Sequence, residues 1–161
     1  MATPKYFEDF RFGETFETER YEVTLDEMIA FARLHDPQSF HVDPEAAERH
    51  PVFHGLSASG FYTMTVTHRL VLARDIGHAW GLIGKGIERL RWPRPVRAGD
   101  VLRVRGTVSG LTRDPRQPFG VVAAAIETLN QRDEPVLTME VQAVVPSKSA
   151  VIVGQEERRA A

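Results

Sequence analysis

The sequence predicts an α+β domain: one buried helix with a curved antiparallel sheet wrapped round it. Helix signals crowd into the first half of the 161 residues, and beyond Gly77 the apolar pattern changes to period two. No internal repeat or linker divides the chain, so the two patterns belong to a single domain.

Phe7 to Thr18 mixes aromatics with Gly13 and acidic residues and reads as loop with short extended pieces, and Arg20 to Val23 reads as a strand. Thr24-Leu25-Asp26-Glu27 is a capping box, in which the Thr24 hydroxyl accepts from the Glu27 amide and the Glu27 side chain reaches back. Leu25, Met28, Ile29 and Ala32 then form one apolar face, and Pro37 ends the helix by disfavouring helical geometry at Asp36. Asp36 to His41 follows as a loop. Asp43 caps a second, short helix with Pro44 in its first turn, ending near His50-Pro51.

A third helix is expected from Gly55 to Arg74. Its first turns hold Gly55, Ser57, Ala58, Ser59 and Gly60, poor helix formers whose use is close approach of a backbone or a ligand. Pro51 to Arg74 contains no Asp or Glu, so much of this helix should be buried. Strands are expected at Gly84–Trp92, Val101–Leu111, Phe119–Gln131 and Val136–Pro146, with Leu137, Met139, Val141, Ala143 and Val145 on one face of the last. The domain should span residues 1–146, followed by a polar, mobile tail over 147–161.

Composition removes several classes of function. With no cysteine, disulfides, thiol nucleophiles and cysteine-based zinc sites are excluded. A net charge of −2 offers no basic field, so a nucleic-acid partner is not expected. Met1 to Tyr6 has no apolar signal core and no apolar run is long enough to span a bilayer, which favours a cytoplasmic protein without a membrane partner.

The candidate chemistry lies in Asp36-Pro37-Gln38-Ser39-Phe40-His41, an acid and an imidazole sharing a loop. By spacing alone, a turn cap at Asp36 and a surface His41 is the commoner arrangement. In Phe53-His54-Gly55, the glycine at a helix start offers free amides and the positive end of the dipole to an anion, although a tight turn needing glycine is as common. His35 lies beside Asp36, but helical histidine pairing is missing and no metal is expected. His54, Trp80 and Trp92 read most simply as packing residues.

Taken together with Leu90 to Asp100, these pieces resemble the MaoC-like dehydratases, which include the R-specific enoyl-CoA hydratases. The usual Asp-x-Asn-Pro-x-His loop is matched at Asp36 and His41, with Gln38 and Ser39 replacing the asparagine and proline. The Arg-Pro-Val-x-x-Gly-Asp turn is intact from Arg94 to Asp100. The resemblance runs from about Phe7 to Pro146 and implies a hotdog fold, assembled as a homodimer or a dimer of dimers. It implies reversible hydration of a 2-enoyl thioester to the (R)-3-hydroxyacyl thioester, with coenzyme A present only as part of the substrate and no cofactor. Asp36 and His41 would hold the water and move the proton, and the Gly55 amide would bind the thioester carbonyl. Gln38, Ser59 and Thr63 would support the site or the substrate, Thr63 as partner of the acid. The arginines at 89, 91, 94, 97, 103 and 105 read most simply as a solvated sheet face; the functional alternative is contact with the phosphates of coenzyme A. Two other functions fit such a domain. A hotdog thioesterase would carry a carboxylate on the central helix, which is missing here; a non-catalytic acyl-binding subunit would have no reason to keep both Asp36 and His41.

Overall fold

The computed structural model describes residues 4–74 and 79–149. A turn of 3₁₀ helix at Phe7–Asp9 leads to β1 (Thr15–Glu17) and β2 (Tyr21–Glu22). Helices α1 (Leu25–His35), α2 (Ser39–Val42), α3 (Pro44–Glu48) and α4 (Gly60–Ala73) come next. The long strands β3 (Ile83–Arg91), β4 (Val101–Arg113), β5 (Phe119–Leu129) and β6 (Pro135–Pro146) complete the domain. The strands join in one antiparallel sheet of order β1-β4-β5-β6-β3, with β2 also pairing β4.

α4 lies on this sheet, as the hotdog fold requires. Tyr62, Val66, Leu70 and Val71 face Leu102, Val104, Ile126, Leu137 and Met139, and Val23 and Met28 close the same core. Burying each of these apolar side chains stabilises the domain by about 1.5–3 kcal/mol against leaving it in water. The 14-residue helix reaches only about 21 Å, whereas β5, of 11 residues, extends about 37 Å. The sheet therefore outruns its helix. Beyond it, a smaller cluster of Phe10, Val108, Val122 and Val145 is covered by Phe7 from the 3₁₀ turn.

The strand predictions agree with the structure to within two residues, and of the five residues expected on one face of β6, Leu137, Met139, Ala143 and Val145 are buried and Val141 is half-buried. Three other expectations change. The Asp36–His41 loop contains a turn of helix, α2, because Pro37 stops α1 but leaves Ser39 onward free to wind again, with the His41 amide donating to the Gln38 carbonyl. The helix expected from Gly55 begins only at Gly60, where Ser59 caps it by accepting from the Phe61 amide. Residues 55–59 are instead drawn out by bonds to other segments, Ser57 N–H to Phe40 and Ala58 N–H to Val96. Finally, α4 is buried on one side only, with Phe61 and Leu72 exposed on the other.

The capping box at Thr24 closes on one side. The Glu27 amide donates to the Thr24 hydroxyl, while the Glu27 carboxylate accepts from the Thr24 and Tyr21 hydroxyls. Of the tail expected from residue 147, Ser147 is fully buried and donates twice to the Pro118 carbonyl, so the domain continues past Pro146. Residues 150–161 lie outside the described residues. Among the described residues, no helix is long and apolar enough to cross a membrane.

Candidate active site

Asp36 is the residue at which α1 stops. Its amide still donates to Ala32, but its backbone has left helical geometry (φ −154°), and that turns the carboxylate out of the helix. Both carboxylate oxygens are occupied. Oδ1 accepts from Gln38 Nε2 at 2.8 Å and Oδ2 from Ser59 Oγ at 2.7 Å. Burial alone would raise the Asp36 pKa. The hydrogen bonds from Ser59 and Gln38, with His41 nearby, outweigh it and hold the carboxyl below its ordinary value. Asp36 is therefore a carboxylate at neutral pH.

His41 sits on α2 and is buried. Its Nδ1 lies 2.8 Å from the Ser57 carbonyl oxygen. A carbonyl can only accept, so Nδ1 carries the hydrogen and Nε2 is left as an acceptor in the neutral ring. That Nε2 is 3.4 Å from Asp36 Oδ2. With the ring neutral, two acceptors face each other and a water molecule has the two hydrogens to donate to both; with the ring protonated, Nε2 and the carboxylate form an ion pair. Phe40, edge-on to the imidazole at 4.4 Å, and Phe53, stacked on Phe40 at 4.9 Å, wall the ring on its apolar side.

The pair opens into a cavity of about 480 Å³ continuous with solvent, lined among others by Gly60, Phe61, Thr63, Trp92 and Arg94. The expected residues divide as follows. Asp36, Gln38, His41 and Ser59 come together, and Gln38 reaches Asp36 with its side-chain amide despite being longer than asparagine. Thr63 lines the cavity but bonds the Ser59 carbonyl, so Ser59, one turn earlier, is the partner of the acid. Gly55 is not placed as expected. It lies outside the helix, its amide donates to the Ala47 carbonyl at 2.9 Å, and it does not line the cavity.

A glycine that spacing did not single out takes the helix start instead. Gly60 opens α4, and its amide has no acceptor among the described residues. The Trp92 indole lies over it, donating to the Gly60 carbonyl at 2.9 Å, so that a Cβ here would sit 2.8 Å from the ring. The arginines separate too. Arg89, Arg103 and Arg105 are paired with carboxylates, and Arg97 donates to the Phe53 and Leu56 carbonyls. Arg94 lines the cavity while lying 3.8 Å from the Glu134 carboxylate and donating to the Pro135 carbonyl, and Arg91 bonds only the Leu90 carbonyl among the described residues.

The family model described as MaoC like domain matches residues 9–131, a stretch that holds every residue of this site. The chain belongs to the MaoC-like domain family. This MaoC-like protein is 39% identical to the MaoC-like dehydratase from Rhodospirillum rubrum, with a TM-score of 0.84 over 89% of this chain and 98% of that one. It is 27% identical over 139 residues to the uncharacterized protein YdeM of Bacillus subtilis (strain 168), covering 86% of this chain and 96% of YdeM. An R-hydratase from Pseudomonas aeruginosa, 23% identical, shares the fold with a TM-score of 0.70 over 89% of the MaoC-like chain and 86% of its own.

Proposed function

We propose that this protein is a hydro-lyase that adds water reversibly to a 2-enoyl thioester, an enoyl-CoA, and forms the (R)-3-hydroxyacyl thioester. The observation that carries this reading is the pair of acceptors, His41 Nε2 and Asp36 Oδ2, set 3.4 Å apart. A water donating to both is fixed with its lone pairs outward. His41 Nε2 removes one proton as the oxygen bonds to C3, and the C2–C3 π electrons move toward the thioester carbonyl to give an enolate. The imidazolium then returns that proton to C2, so every atom of the water ends in the product. Asp36, held ionised by its hydrogen bonds, anchors the water and stabilises the imidazolium.

The enolate oxygen requires a donor. With the Gly55 amide committed to Ala47, the unpartnered amide of Gly60, at the positive end of α4 and on the cavity wall, fills this role. One such donor is worth about 3 kcal/mol in the transition state. Arg94, on the cavity wall and only 3.8 Å from Glu134, and Arg91, whose guanidinium bonds the Leu90 carbonyl, are the arginines we assign to the phosphates of coenzyme A. The assembly is a homodimer joined along β3. This edge strand is exposed over almost its whole length and presents Ile83 and Ile87 to solvent.

The test is a panel of 2-enoyl-CoA thioesters of varied length and branching, followed by loss of the enoyl-thioester absorbance, with the chirality of the product determined. Turnover of at least one member to the (R)-alcohol is expected. Release of free thiol without hydration would make the protein a thioesterase. Inactivity of the purified chain on every thioester would favour a non-catalytic subunit.

A further inference from the structure

We propose that Arg97 is a positioning residue for His41, acting through the loop that carries the Ser57 carbonyl. Three of that loop's backbone groups are pinned by one short segment. Arg97 Nη2 donates to the Phe53 carbonyl at 2.6 Å, Arg97 Nη1 donates to the Leu56 carbonyl at 2.9 Å, and the Val96 carbonyl accepts from the Ala58 amide at 2.8 Å. Ser57 stands between the last two pins, and its carbonyl is the atom that holds His41 Nδ1.

The loop needs such a clamp because its backbone is strained. His54 has φ 47° and Gly55 φ 141°, successive left-handed residues of which the first is not glycine. Gly55 is bare where the guanidinium crosses it, since a Cβ would lie 2.9 Å from Arg97 Nη1. The clamp is itself fixed at its base, where the Arg97 amide donates to Asp100 Oδ2 at 2.8 Å. A guanidinium presents two parallel donors in one plane and matches two carbonyls at once, whereas an ammonium is a single point. The Arg97 guanidinium has no carboxylate partner among the described residues, so both of these donors serve the loop. The chain of contacts runs from Arg97 to the loop carbonyls, to Ser57, to the His41 tautomer, and so to the acceptor that faces Asp36.

The effect on turnover rests on the hydration reading above; the effect on the His41 ring does not. The experiment takes the full chain and its Arg97→Met and Arg97→Lys variants. Long-range proton–nitrogen NMR of the His41 imidazole places the ring proton, and kcat and KM are measured on an enoyl-CoA and on the same enoyl group carried by N-acetylcysteamine. In the parent the proton is on Nδ1. In Arg97→Met the ring should populate both tautomers, and kcat should fall on the order of 10²-fold, equally for the two thioesters and with KM little changed. Arg97→Lys, which retains the charge and one donor, should lie between and carries the same measurements if Arg97→Met does not fold.

Two outcomes would overturn the proposal. One is a His41 proton that stays on Nδ1 with kcat unaltered. The other is a loss confined to KM for the coenzyme A thioester, which would make Arg97 a phosphate contact. If no thioester is turned over at all, the hydration reading fails, and the tautomer measurement still decides the role of Arg97.

Discussion

In the proposed mechanism Asp36 and His41 act on one water, so their contributions should not add. Asp36→Asn and His41→Gln keep size and hydrogen bonding but change the proton chemistry, and each should lower kcat by about 10²–10⁴-fold. The double variant should be little slower than the slower single one. A His41→Gln protein hydrating at the parent rate would remove His41 as the base. Ser59 allows a separate check on the acid. Because the folded pKa of Asp36 is depressed, its ionised form stabilises the fold above the unfolded value, and this contribution disappears as pH falls through the folded value. Ser59→Ala removes the 2.7 Å hydrogen bond that helps to offset burial, so the Asp36 carboxyl should titrate at higher pH than in the parent. Side-chain carboxyl ¹³C shifts followed between about pH 2 and 6 would show it. An unmoved midpoint would mean that Ser59 does not hold the acid.

At the level of elements, α4 is joined to the sheet by a polar contact inside an apolar core. Thr67 Oγ1 donates to the Thr63 carbonyl at 2.8 Å and lies 2.6 Å from Thr128 Oγ1 on β5, and both threonines are fully buried. Since the Thr67 hydrogen is committed to its own helix, Thr128 is the donor across the interface. The two isosteric replacements should therefore differ. Thr67→Val strands the Thr128 hydroxyl and should cost about 1–3 kcal/mol. Thr128→Val leaves Thr67 with its carbonyl and should cost less. Urea unfolding of the two variants measures the difference, and equal losses would mean that the donor direction is wrong.

For the whole molecule, the sheet ends on β3, an edge with exposed isoleucines and irregular pairing to β6 at Gly84–Gly86 and Glu88–Arg91. A second copy on this edge would satisfy its free backbone groups and cover Ile83 and Ile87. Sedimentation at micromolar concentration should show a dimer, and Ile87→Lys should shift the distribution toward monomer by placing a charge in the joint. A parent protein that sediments as a stable monomer would place the interface elsewhere or nowhere.

Much of this could be read before folding. The capped start at Thr24, the stop at Pro37, the cap at Asp43 and the period-two runs of β4 to β6 are local signals, set by hydrogen bonds within a few residues and by which face turns inward. The types at Asp36 and His41 were also legible, because their chemistry belongs to the side chain itself. What tertiary structure decided are the contacts between distant segments. Ser59 reaches Asp36 across 23 positions and Arg97 reaches Phe53 across 44, distances over which periodicity carries no information. The start of α4 moved from Gly55 to Gly60 for the same reason. Bonds to Phe40 and Val96 stretch residues 57 and 58, and a helix forms only where those claims on the backbone end. The sequence by itself determined which chemistry was available; the long-range backbone bonds decided which glycine keeps a free amide and which nitrogen of His41 faces the acid.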